Sequence, residues 1–110
     1  MKLMTKEIEK KLEKYPLYYQ DGKGDDATII CKFFFPWGNW TWYVMEGNKM
    51  ENGDWEFFGL VDGDFPELGY FTLSELESVS KGYLKVERDM YFKPCKLGDL
   101  LDKDGMMKNA

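Results

Sequence analysis

Residues 27–45 read ATIICKFFFPWGNWTWYVM, and in them two runs of β-branched and aromatic residues flank a turn. Such runs favour strands, and the intervening PWGN, residues 36–39, is typical of a tight connection. We therefore predict two neighbouring antiparallel strands, 27–35 and 40–45. A third run of the same composition, 55–61, extends the pair into a meander.

Two helices are predicted outside this meander. Thr5 can cap the first helix, whose apolar residues Ile8 and Leu12 recur at helical spacing. A short fourth strand, 68–71, precedes the sequence TLSE, residues 72–75, which matches a capping box and begins the second helix. The chain is thus predicted to be an α+β protein with an antiparallel sheet of about four to six strands, an N-terminal helix and a second helix after the fourth strand.

Length and composition indicate one domain. The chain has 110 residues, of which 44% are hydrophobic and 32% charged, a balance typical of a packed core under a solvated surface. We assign residues 1–101 to a single domain and expect the polar tail, 102–110, to fray. No stretch approaches the roughly 20 apolar residues of a membrane span, and we recognise no signal peptide, so a cytoplasmic protein is expected.

Charge and residue usage exclude several classes of function. The net charge of −5 opposes broad binding to nucleic acid and suits a partner with a basic surface. The chain contains no histidine, so histidine-based zinc sites and catalytic triads cannot be assembled. Its two cysteines, Cys31 and Cys95, are interpreted as free thiols in a reducing compartment. We expect neither a bound metal nor a cofactor.

Carboxylates near the predicted turns are candidates for a magnesium site. They are Asp62, Asp64, Glu67, Glu87 and Asp89. Oxygen ligands suit Mg²⁺ and phosphodiester chemistry, and Glu87 with Asp89 would then be the ligands. Acidic residues in turns more often accept hydrogen bonds from the backbone or face water. The magnesium enzyme therefore remains an alternative hypothesis.

Arg88 is the single arginine among the 15 cationic residues. A guanidinium offers directed donors to an anionic ligand and stacks on aromatic rings. A strand arginine flanked by acids more often forms a salt bridge with a carboxylate on the neighbouring strand. We expect Arg88 to lie close to a ring of the 40–45 strand and to a carboxylate, with Glu87 and Asp89 on the opposite face.

Aromatic residues of the predicted meander are the other candidates for binding. Trp40 and Trp42 share one face of their strand by the period of two, whereas Tyr43 takes the other face. An uncovered face would offer a platform for stacking, but we favour helices covering it. Trp37 lies in the turn, where a large ring is often present to meet a partner.

Three blocks of sequence carry a family resemblance. They are KFFFPWGNWTWYVME (32–46), FFGLVDGDFPELGYFTLSELESV (57–79) and VERDMYFKP (86–94). In order and spacing they resemble the family known as domain of unknown function 2958, over about residues 1–101 of this chain. The resemblance implies an accessory gene of a bacterial plasmid, integrative element or phage, and it transfers no catalytic residues.

These observations predict a non-enzymatic, small acidic binding protein of a mobile genetic element or phage. Such a protein would sequester or block a host defence protein or its nucleotide messenger, as an anti-CRISPR or other anti-defence inhibitor does. A magnesium-dependent phosphodiester enzyme and a structural homo-oligomeric subunit are the alternatives. The predicted binding residues are Arg88, Trp37, Trp40, Trp42, Tyr43, Glu87 and Asp89.

Overall fold

The computed structural model describes residues 1–108 and has the predicted α+β fold. Its elements, in chain order, are α1 (Lys6–Leu12), a 3-10 helix (Gly24–Asp26), β1 (Thr28–Ile29), β2 (Cys31–Phe34), β3 (Thr41–Lys49), β4 (Trp55–Asp62), β5 (Pro66–Thr72), α2 (Leu73–Ser78), β6 (Ser80–Lys81), β7 (Leu84–Lys85), β8 (Glu87–Arg88), β9 (Cys95–Lys96) and α3 (Leu97–Leu100). None of these helices is long and apolar enough to span a membrane.

The main sheet has five strands in the order β5-β4-β3-β2-β8, and all its neighbours are antiparallel. The predicted meander is confirmed, because β2, β3 and β4 pair in sequence. Helix α2 follows β5, which is the fourth strand of this sheet along the chain. Thr72 caps α2, with its hydroxyl accepting from the amide of Glu75 at 3.1 Å. The other half of the predicted capping box is not formed, because the Glu75 carboxylate accepts from the Thr72 hydroxyl at 3.1 Å and not from the Thr72 amide.

The first predicted strand, 27–35, is divided in the structure. Ile30 separates β1, which pairs with β9 in a sheet of its own, from β2 in the main sheet. Composition could not reveal this division, because the stretch is rich in β-branched and aromatic residues and suits a strand throughout. Strand β3 also continues to Lys49 through a β-bulge between Val44 and Glu46, beyond the predicted end at Met45.

Both faces of the main sheet are covered. On one face, α1 and α2 pack over a core that contains Trp42. Its buried residues include Leu3, Met4, Ile8, Leu12, Ile30, Phe33, Val44, Trp55, Phe57, Phe71, Leu76 and Val86. On the other face, β1 and α3 contribute Ile29 and Leu97 to a second core around Tyr43 and Leu60. The expected coverage of both faces is therefore found at the centre of the sheet.

A buried polar network ties the segment after α1 to the sheet. The carboxylate of Glu46 accepts from the amides of Tyr18 at 2.9 Å and Gln20 at 2.5 Å. The Gln20 side chain in turn donates to the carbonyls of Thr28 and Met45, both at 2.9 Å. Every polar atom of this network has a partner, so the network fixes the loop without an unsatisfied buried group.

The segment after α3 folds back on the domain. The amide of Asp102 donates to the carbonyl of Met106 at 2.7 Å, and the amide of Lys108 donates to the carbonyl of Leu100 at 2.7 Å. This turn brings Met107 against the second core. The tail predicted to fray spans 102–110, and its residues 109–110 lie outside the described part of the chain.

Candidate functional site

Five of the seven predicted binding residues lie in two separate regions, while Tyr43 belongs to the second core and Glu87 lies on β8. Trp37, Trp40 and Trp42 lie at the end of the main sheet where β2 and β4 finish and β3 and β5 begin. Arg88 and Asp89 instead line a groove beneath α1. The structure thus does not bring these two sets into one site.

We call the first region the aromatic end and define it by Phe35, Trp37, Trp40, Trp42, Phe65 and Val79. Two turns meet there, the β2–β3 turn and the β4–β5 turn, and rings from both are exposed to solvent. The exposed fractions are 55% for Trp37, 43% for Trp40 and 66% for Phe65. Phe65 follows the sequence Asp62-Gly63-Asp64 and was not among the predicted binding residues, although its place in a turn resembles that of Trp37.

Trp40 and Trp42 are stacked, with ring centroids 6.1 Å apart and an interplanar angle of 28°. Trp42 belongs to the buried core, whereas Trp40 forms the outer layer. An apolar cavity of about 280 Å³ lies between these two rings and the side chains of Phe35 and Val79. The aromatic end is therefore continuous with the core and rigidly supported by it.

Gly63 holds the outer tryptophan from the side. A Cβ atom at this position would lie 2.4 Å from ring atoms of Trp40, so only glycine permits the observed contact. The adjacent β6–β7 hairpin adds a cation to the same surface, because the ammonium of Lys81 lies 4.3 Å from the ring centroid of Trp37. Tyr83, at the tip of that hairpin, is 93% exposed, and sequence reasoning missed it too.

Carboxylates lie beside the exposed rings of the aromatic end. A second cavity, of about 190 Å³, is lined by Trp40, Val61, Asp64, Phe65 and Glu67. Glu67 stands directly opposite Val61 in the β4–β5 pair, which places its carboxylate next to the turn. The surface thus combines aromatic rings with negative charge, an arrangement that attracts cations.

Arg88 occupies a different environment from the predicted one. Its guanidinium donates to the main-chain carbonyls of Lys2 and of Leu3, the latter at 3.4 Å. Among the described residues it forms no ion pair and lies over no ring. The predicted contact between Arg88 and a ring of the 40–45 strand is wrong. Strand β2 lies between β8 and β3, so the backbones of β8 and β3 are about 10 Å apart, which is two strand widths.

Of the two acidic neighbours of Arg88, Asp89 has a side-chain partner, whereas Glu87 is placed only by the pairing of its strand. Asp89 forms an ion pair with Lys32 at 3.6 Å, and the ammonium of Lys32 lies 5.6 Å from the ring centroid of Tyr43. Burial raises the pKa of Tyr43, and the charge of Asp62 adds to the shift. Glu87 stands opposite Phe34 in β2. The ion pair and the strand pairing thus join the edge strand β8 and the residue after it to β2.

The groove beneath α1 contains a thiol that is not activated. Burial raises the pKa of Cys31 to about 12, although Lys11 and Arg88 favour the thiolate to a smaller extent. The thiol therefore stays protonated at neutral pH, which is the opposite of what a nucleophile requires. Across residues 1–108 no group of three or more histidine, cysteine, aspartate or glutamate side chains is placed to hold a metal ion.

Comparisons with known proteins identify the family but no activity. No curated protein and no solved structure matches the chain at a significant level. A family model described as "Protein of unknown function (DUF2958)" matches residues 3–100, which include every strand of the main sheet and the whole aromatic end. The chain therefore belongs to this family of proteins of unknown function.

Proposed function

We propose that the chain is a non-enzymatic binding protein that uses its aromatic end to occupy a basic surface on another protein. The observation that carries this proposal is the group of exposed rings at one end of the sheet, with carboxylates beside them. Rings held by a rigid core lose little conformational freedom when they bind, and tryptophan and tyrosine dominate the energetics of protein interfaces.

The charge of the surface favours a basic protein over a nucleotide messenger. Asp64 and Glu67 line the cavity next to Trp40 and would repel a phosphate group. Arg88, the single arginine, is already engaged with main-chain carbonyls of the N-terminal segment. A partner with exposed lysine or arginine side chains would gain both charge attraction and contact with the rings.

The size of the domain is sufficient for it to act by steric occlusion. The molecule measures 37 × 30 × 22 Å, and a standard interface covers about 800 Å² on each partner. A bound copy would thus cover much of a channel or active-site entrance. We propose a host defence protein as the target and a mobile genetic element or phage as the setting, which rests on the family resemblance.

The test is site-specific photo-crosslinking in cells that produce the protein. The photoreactive residue p-benzoylphenylalanine replaces either Trp37, at the aromatic end, or Tyr91, which is 88% exposed and follows β8 away from that end. Because both substitutions exchange one exposed ring for another, neither should disturb the core.

We expect position 37 to give one prominent product, identified by mass spectrometry as a protein with a basic surface, whose yield falls as salt is added. Position 91 should give none. A product from position 91 alone would contradict the proposal. A product with twice the mass of the chain would instead support the homo-oligomeric subunit.

A further inference from the structure

The cavity between Trp40 and Phe65 has a shape and chemistry that suit one kind of side chain. Its volume is about 190 Å³, which leaves room for a planar group such as a guanidinium. The ring of Trp40 forms one wall, and Gly63 keeps that ring in place.

All the charged side chains that line this cavity are negative. Asp64 and Glu67 line it, and no lysine or arginine does. Among the described residues neither carboxylate takes part in an ion pair. Both residues are exposed, so their carboxylates stay hydrated when ionised. Their negative charge is therefore available to an incoming cation.

A neighbouring contact shows that rings of this surface hold cations. The ammonium of Lys81 lies 4.3 Å from the ring centroid of Trp37, at the same end of the sheet. Trp40 presents a second exposed ring but has no cation over it among the described residues. Among the described residues, the chain thus supplies a cation to the ring of Trp37 but not to the ring of Trp40.

We propose that this cavity receives an arginine side chain of the partner protein. A guanidinium is planar and can stack on Trp40 or Phe65 while its forked donors reach the carboxylates of Asp64 and Glu67. An ammonium offers a point charge with no such stacking surface. This inference rests on the proposed function and names the residue type that the aromatic end recognises.

The test is an NMR titration of the ¹⁵N-labelled protein with three capped tripeptides, Gly-X-Gly, where X is arginine, lysine or citrulline. Citrulline has nearly the shape of arginine but no charge. We expect arginine to shift the indole signal of Trp40 and the amide of Gly63 saturably, and to bind about tenfold more tightly than citrulline.

Variants of the cavity provide the matched comparison. The double variant Asp64→Asn with Glu67→Gln should weaken binding of the arginine peptide about tenfold, whereas Glu51→Gln, an exposed carboxylate in the β3–β4 turn, should leave it unchanged. Equal affinity for arginine and citrulline, or an equal loss in Glu51→Gln, would overturn the proposal. Lysine binding as tightly as arginine would overturn the preference for a guanidinium.

The two proposals can fail separately. If the peptides are not distinguished but crosslinks from position 37 still identify a basic partner, the arginine cavity is wrong and the binding function stands. If the arginine peptide binds as expected but crosslinks form only from position 91, the cavity is real and the proposed function is wrong.

Discussion

The centre of the main sheet and its aromatic end use the same residue types for different purposes. At the centre, rings such as Phe33 and Phe57 are fully buried between helices and sheet. At the aromatic end, Trp40 continues the same stack from Trp42 but remains 43% exposed. We infer that the covered rings contribute most of the stability, so the exposed rings can be changed without unfolding the domain.

The largest effect is expected from a cavity in the covered centre. Phe57 is fully buried, and its ring centroid lies 5.5 Å from that of Phe71 and 6.5 Å from that of Trp55. Phe57→Ala should lower the free energy of unfolding by about 3–5 kcal/mol, measured by urea denaturation. Trp40→Ala, as the matched ring at the aromatic end, should lose much less. Equal losses of unfolding free energy in the two variants would contradict the difference between the two regions.

The next effect concerns the buried carboxylate in the bulge of β3. Glu46→Ala removes the acceptor for the amides of Tyr18 and Gln20 and leaves both unsatisfied. We expect a loss of about 2–3 kcal/mol in the free energy of unfolding. Glu51→Ala, an exposed carboxylate nearby along the chain, should be close to neutral. A neutral Glu46→Ala would show that water replaces the carboxylate.

A smaller effect is expected from a substitution beside Trp40 at the aromatic end. Gly63→Ala would place a methyl group in the ring of Trp40, so the ring must move at a cost of about 1–2 kcal/mol. The indole signal of Trp40 should shift, and binding of the arginine peptide should weaken. Gly69→Ala is the control, since nothing lies within 4 Å of its added Cβ. An unchanged Trp40 signal in Gly63→Ala would contradict the described contact.

Elements with local signals were predictable from the sequence, whereas their distant partners were not. The capping box at Thr72 and the hairpin at residues 36–39 depend on near neighbours, and both identify the element that follows. The position of Arg88 depends instead on the pairing of β8 with β2, far along the chain. No local pattern encodes that pairing, so the expected contact between Arg88 and the rings failed.

The candidate site was predicted in part for the same reason. Trp37 was identified because a large ring in a turn is conspicuous in sequence, and the same signal applies to Phe65 and Tyr83. The sequence indicates metal ligands, or more often solvent-facing turn residues, for the carboxylates Asp64 and Glu67, and neither interpretation places them beside a tryptophan. Their position beside Trp40 arises from the meeting of the β2–β3 and β4–β5 turns, which becomes visible only once the strand register is known.

The smallest effect is a dependence of stability on pH at the far end of the sheet. The hydrogen bond from the hydroxyl of Ser74, at 2.6 Å, lowers the pKa of Asp54 below its ordinary value of 3.8. Ionised Asp54 therefore stabilises the fold above pH 3.8, and the contribution is lost as the pH falls through the lower pKa of the folded state.

Thermal melts of wild type and Asp54→Asn should check this dependence. The wild type should melt slightly higher at neutral pH, and the difference should vanish in acid below the folded pKa. If the difference in melting temperature persisted unchanged in strong acid, it would arise from packing and not from the ionisation of Asp54.

The most direct test of the account is the affinity of three proteins for the partner identified by crosslinking, measured by calorimetry together with their melting temperatures. Wild type, Trp40→Ala and Tyr91→Ala are compared. We expect Trp40→Ala to bind about 30-fold more weakly, equivalent to about 2 kcal/mol, with a smaller fall in melting temperature than Phe57→Ala causes, and Tyr91→Ala to bind like wild type. Unchanged affinity in Trp40→Ala, or a comparable loss in Tyr91→Ala, would contradict the assignment of binding to the aromatic end.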